Sequence, residues 1–132
     1  TVEELLTATI KGLKLISGNL GVHREISTVT VVDTPDGFQW LKGNEVVITT
    51  TYALEKTPNS FLDFISKLLS RNISALIVKS DRYIKVIPEN AKKLCDEKAL
   101  PLIYCPAIYA FADIINPTLS GIISKQAEQL KE

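Results

Sequence analysis

Hydrophobic and polar positions follow two periods along this chain, and the places where the period changes mark its organisation. The opening TVEELLTA puts Leu5 and Leu6 on one side of a short amphipathic helix, with Thr1 as its cap and Glu3 and Glu4 near the positive end of the helix dipole. Two β-branched stretches follow, LKLISG (13–18) and ISTVTVVDT (26–34), ended by Gly18 and by the turn signal Pro35-Asp36-Gly37. Both predict strands. DGFQWLK (36–42) predicts a single helical turn that buries Phe38 and either Trp40 or Leu41, and EVVITT (45–50) predicts the next strand. Thr57-Pro58, a capping hydroxyl followed by proline at the first helical position, opens a helix expected to end near Arg71-Asn72. Its apolar residues Phe61, Leu62, Phe64, Ile65, Leu68 and Leu69 form one face at period 3.6. SALIVKS (74–80) predicts a buried strand, Pro88 starts a helix that turns Ala91, Leu94 and Cys95 inward, and Leu102-Ile103-Tyr104 predicts a third strand of this half.

Strand, helix, strand, helix, strand with short joins is the signature of parallel βαβ units. The expected fold is α/β: a single small domain with a mainly parallel sheet, βαβαβ in its second half, flanked by helices and followed by a C-terminal amphipathic helix. In an open parallel sheet, ligands bind beyond the carboxyl ends of the strands, where loops diverge and polar groups can meet without disrupting the core. EVVITT runs into Thr49, Thr50, Thr51 and Tyr52 at such an end, and the next strand runs into Lys79, Ser80, Asp81, Arg82 and Tyr83. If these strands are parallel neighbours, Thr49, Thr50, Thr51, Tyr52, Lys79, Arg82 and Tyr83 share one rim and form the candidate ligand-binding set. A structural account competes with this. Threonine favours strands, its hydroxyl caps turns, strand-end loops are usually polar, and Arg82 has Asp81 or Asp33 as surface partners.

Composition narrows the function classes. With 132 residues, 45% hydrophobic, the chain is long enough to bury roughly two thirds of its unfolded surface around one core. Fifteen basic and fifteen acidic side chains cancel, so the positive surplus of a domain that grips phosphate backbones is missing. DNA binding by this segment alone is not expected. No apolar stretch approaches the about 18 residues of a membrane span and no leader pattern precedes the first helix, which predicts a soluble, cytoplasmic protein. The absence of methionine, even at position 1, predicts a piece of a longer chain. Cys95 and Cys105 lack C-x-x-C spacing, and with His23 the only histidine no zinc site is expected; both read as buried thiols. Catalytic groupings are equally thin: Asp33, Glu45 and Glu89 are scattered, no phosphate-binding glycine motif occurs, and a Cys105–His23 pair would need two distant segments to meet. The chain is expected not to be an enzyme and to carry no cofactor. His23 reads as a loop residue and Glu45 as ordering the turn before its strand.

GNEVVITTTYAL, followed by ALIVKSDRYIKVIPENAKKLCDEKALPLIYCP, resembles the N-terminal domain of the PucR-type purine catabolism regulator family of bacterial transcription factors. Gly43, Glu45, Val46, Val47, Ile48, Thr49 and Thr50 match a Gly-Gly-Glu, aliphatic, Thr-Thr-Gly pattern. Arg82, Tyr83, Ile87 and Pro88 match a second motif, and Leu100, Pro101, Leu102 and Ile103 a third. The likeness runs from VEELL to FADIINPTLSGII. Asn44 and Thr51 depart from it, standing where the pattern has glycine, a residue that usually serves a positive φ or a close backbone approach.

The resemblance implies a sensory or regulatory domain, 1–115, that binds a small nitrogen-rich, purine-related metabolite. DNA is read only by a downstream helix-turn-helix domain not present in this chain. The stretch 116–132 is the expected connector: Asn116-Pro117 reads as a helix start, and Leu119, Ile122, Ile123, Gln126 and Leu130 lie on one stripe near heptad spacing. That stripe either joins two copies into a homodimer or docks on its own domain. The alternative to ligand sensing is a dimerisation or interaction module with no small-molecule site.

Overall fold

The computed structural model describes residues 1–8, 12–34, 37–50, 60–80 and 87–131. The helix start at Thr57-Pro58 and the Pro35-Asp36 turn lie outside the described residues. The opening helix α1 spans Val2–Ala8, with the Thr1 hydroxyl accepting the Glu4 N–H and Leu5 buried. Strands β1 (Lys14–Ser17), β2 (Thr28–Val31), β3 (Glu45–Thr50), β4 (Ala75–Ser80) and β5 (Leu102–Pro106) form one sheet in the order β1-β5-β4-β3-β2. Helix α2 (Ser60–Leu69) precedes β4, α3 (Glu89–Glu97) precedes β5, and α4 (Phe111–Lys131) ends the chain. A 3₁₀ turn, Gly37–Trp40, supplies the expected helical turn, and Leu41 rather than Trp40 is the residue it buries.

β2, β3, β4 and β5 are parallel, and β1 joins β5 antiparallel. The three middle strands read as unbroken apolar runs because both of their faces are covered. Val47, Leu76, Val78 and Leu102 pack with Phe61, Phe64, Ile65 and Leu68 of α2 and with Ala91 and Cys95 of α3. Val46, Ile48, Ala75, Ile77, Ile103 and Cys105 point the other way, beneath Val2 and Leu5 of α1 and Ile114 of α4. The edge strand β2, TVTV, alternates instead, as a strand covered less completely should. Each βαβ step moves one strand along the sheet in the same direction, so crossovers of one hand place α2 and α3 on the same face.

At the strand starts, Arg24 ties the layers together, its guanidinium donating to the carbonyls of Ile73, Lys98 and Ala99. Ahead of β3, Gly43 and Asn44 take φ of 116° and 65°, and the buried Glu45 carboxylate accepts the N–H groups of Lys42 and Gly43 at 2.6 and 2.7 Å. The departure from glycine at Asn44 is therefore met by the non-glycine residue type that enters the left-handed region at least cost.

The C-terminal helix differs from the expectation at its start. It begins at Phe111, not at Asn116-Pro117, and runs 21 residues with Pro117 inside it. Asp113 reaches back to accept the Ala110 N–H at 2.8 Å, half of a capping box, and this fixes the true N-terminus. The docked stripe is also rotated from the expected one. Ile114 and Thr118 are buried and Ile122 half-buried, while Ile123 and Leu130 are 64% and 88% exposed.

Candidate functional site

β3 and β4 run side by side in the same direction, with Thr50 paired to Lys79 and Lys79 to Cys105. The strand ends therefore meet on one rim. Of the seven candidate residues, Thr49, Thr50 and Lys79 are described; Thr51, Tyr52, Arg82 and Tyr83 lie outside the described residues. Thr49 is fully buried and Thr50 partly exposed.

A carboxylate that the hydrophobic pattern did not single out for the rim organises it. Asp33, just past β2, accepts the Thr50 N–H at 2.9 Å, the Thr50 hydroxyl at 3.1 Å and the Thr49 hydroxyl at 3.4 Å, all on Oδ1. The three threonines that close the apolar run thus begin with two hydroxyls aimed at a carboxylate from the neighbouring strand. Lys79 turns toward the start of α4, where its ammonium donates to the Ala107 carbonyl at 3.0 Å and lies 5.1 Å from the Phe111 ring centre. Tyr104 donates its phenol to the Ser80 carbonyl at 2.8 Å and so braces the end of β4. A cavity of about 540 Å³ opens beside Asp33 along the β2 edge, with Thr30, Thr34, Lys42 and the 81%-exposed Trp40 in its wall. Because the parallel strands follow one another without reversal, the rim is not the switch-point crevice of a doubly wound sheet. The chain diverges instead after β5, where it crosses to the opposite face as α4.

The Cys105 thiol is not exposed at the rim. Cys105 is fully buried, and burial raises its thiol above the ordinary range, with Lys79 opposing and Asp113 adding to the shift. His23 lies at the other end of the sheet, next to the Arg24 anchor below β4 and β5, with Glu3 3.6 Å away. The Cys105–His23 pair does not form. Among the described residues no group of three or more His, Cys, Asp and Glu side chains is placed to hold a metal ion, and no helix is long and apolar enough to cross a membrane.

The sequence matches the purine catabolism regulatory protein-like family over residues 4–122. The chain belongs to that family. Among its relatives is the purine catabolism regulatory protein of Bacillus subtilis (strain 168), 34% identical over 118 residues, which are 89% of this chain and 22% of that protein. Another is the transcriptional activator PmfR of Paenarthrobacter nicotinovorans, 22% identical over 130 residues, 98% of this chain and 28% of that protein. The chain spans about a quarter of the length of these relatives. One is named a regulatory protein and the other a transcriptional activator, and neither name denotes an enzyme. No solved structure matches the chain significantly. Within the family pattern the threonine-ended strand thus builds one side of the rim, while the Gly43-Asn44 turn and the Glu45 clamp order the opposite end of β3.

Proposed function

We propose that this is the sensory domain of a bacterial transcriptional regulator, working in the cytoplasm and binding a small nitrogen-rich, purine-related metabolite at the rim of Thr49, Thr50, Thr51, Tyr52, Lys79, Arg82 and Tyr83. The observation that carries the reading is Asp33, which gathers the Thr49 and Thr50 hydroxyls and itself lines a cavity walled by Trp40. A carboxylate accepts the N–H donors of a purine or ureide, hydroxyls serve as donor or acceptor, and an exposed indole offers a face for a flat heterocycle. Residues 1–115 form the sensing body and 116–132 the element that hands the signal on, with DNA contacted by a downstream helix-turn-helix domain. The balanced charge of the chain agrees with that division of labour. A ligand that prefers one arrangement of the rim shifts the equilibrium by its differential affinity, and Lys79, seated against the α4 start, links rim to helix.

Thermal denaturation in the presence of purines, ureides and amino acids tests this. An effector at 100 times its Kd stabilises by about 2.7 kcal/mol, roughly a 10 °C rise for a domain of this size. Thr50→Ala and Arg82→Ala should each remove the rise. A flat panel, or a rise that survives both substitutions, refutes the rim as the site.

A second reading, an assembly module without a metabolite site, is favoured by the exposed side of α4, on which Leu119, Ile123, Gln126 and Leu130 remain largely outside the core.

A further inference from the structure

Gly121 sits inside α4 with nothing to justify it locally. Glycine in a helix interior costs about 1 kcal/mol relative to alanine, yet Gly121 has no positive φ, and a Cβ built on it meets no heavy atom of the described residues within 4 Å. The open space in front of it is a cavity of about 270 Å³ between α4, α1 and the residues leading into β2. Leu5, Ile26 and Ile122 give it apolar walls. Glu4, Glu25 and Lys125 stand at its lining as well, and they are paired: the Lys125 ammonium lies 3.1 Å and 3.3 Å from the two Glu25 oxygens and 3.6 Å from Glu4. The cavity thus combines apolar walls with two carboxylates that already seat an ammonium group, that of Lys125. Lys125 is also what holds the distal half of α4, since the residues beyond it, 126–130, are all exposed.

We propose that this cavity is a second binding site, for a small organic cation with an apolar body (an amidinium, guanidinium or alkylammonium), whose charged head takes over the carboxylates that Lys125 now occupies. The apolar body enters between Leu5, Ile26 and Ile122, in a volume near the lower end of ordinary ligand sites. Occupancy displaces Lys125 and releases the far end of α4 from the body. Lys125 is therefore the resident competitor, and the site couples a cation to the attitude of the terminal helix. The inference goes beyond the metabolite rim and does not rest on it.

Benzamidine serves as the probe and benzamide as its neutral isostere, with calorimetric titration and thermal denaturation of the whole chain as readouts. Benzamidine should bind saturably and benzamide about tenfold more weakly or not at all, as expected when one charge-assisted hydrogen-bond pair is lost. Glu25→Gln should weaken benzamidine to a similar extent. Gly121→Leu, whose side chain extends into the cavity, should abolish binding, whereas Gly121→Ala should raise Tm and leave binding intact. Lys125→Ala, by removing the competitor, should tighten binding severalfold, and Thr50→Ala should leave it unchanged. No saturable binding of benzamidine, equal binding of the two probes, binding that persists in Gly121→Leu, or weaker binding in Lys125→Ala overturns the proposal.

Discussion

Glu45 shows how one residue carries a family motif. Its carboxylate is 5% exposed and accepts two backbone N–H groups from a turn held at positive φ by Gly43 and Asn44. Without it, two donors in a part-buried turn lose an ionised acceptor, and each such bond contributes on the order of 1.5–3 kcal/mol. Glu45→Ala should therefore lower unfolding stability by about 3–6 kcal/mol in urea titration, and Glu45→Gln, which keeps one acceptor oxygen, by less. A Glu45→Ala protein within about 0.5 kcal/mol of the parent would show that the turn holds itself. That Glu45 orders this turn was legible from its place before an apolar run. Asp33 was not, because its partners are 16 and 17 residues away and nothing in the spacing of a carboxylate says which neighbouring strand will need it. Arg24 was missed for the same reason, its three carbonyl acceptors lying 49 to 75 positions downstream.

Elements were legible in proportion to how much of their fate is local. β3, β4 and the α2 face could be read because strands buried on both sides need continuous apolar runs and a helix docked on a sheet needs an apolar stripe. The α4 start was misplaced because Asn116-Pro117 satisfies a local capping rule, whereas the actual start depends on Asp113 and on the turn by which the chain leaves β5. The rotated stripe has a similar cause, since the face that docks is chosen by the sheet beneath and not by the most apolar set of positions. Helix α3 illustrates docking with a measurable consequence. Cys95 lies fully buried between α3 and the sheet, and burial, with Asp96 adding, pushes its thiol up to about 12. An unfolded thiol ionises near 9, so between about pH 9 and 12 the unfolded chain gives up a proton that the folded one keeps, and stability falls as pH rises. The urea midpoint should drop across that window in the parent and drop less in Cys95→Ala. Parallel slopes for the two proteins would show that α3 docking is indifferent to this thiol.

At the scale of the whole molecule, the sheet is covered on both faces, but among the described residues nothing covers one side of α4. Ala112, Asn116, Leu119, Ile123, Gln126 and Leu130 succeed one another in alternating steps of four and three residues, the spacing of a two-helix seam, and all but the half-buried Leu119 are exposed. None of the six carries a charge, so a second copy of the same helix can lie against it without bringing like charges together, and Asn116 or Gln126 can pair with its own counterpart across a two-fold axis. This stripe is adjacent to, and distinct from, the Ile114–Thr118–Ile122 stripe that docks on the body, so pairing does not require α4 to leave its domain. We therefore expect a homodimer through α4. Because Leu119 and Ile123 contribute little to the core, replacing both with lysine should turn the dimer into a folded monomer, with sedimentation velocity reporting the loss and circular dichroism an unchanged fold. The seam is short, under three heptads, so dissociation of the parent on dilution is expected as well. A parent that sediments as a monomer at every concentration, or a dimer that survives both lysines, would place the contact between copies elsewhere and leave α4 as a link within one chain.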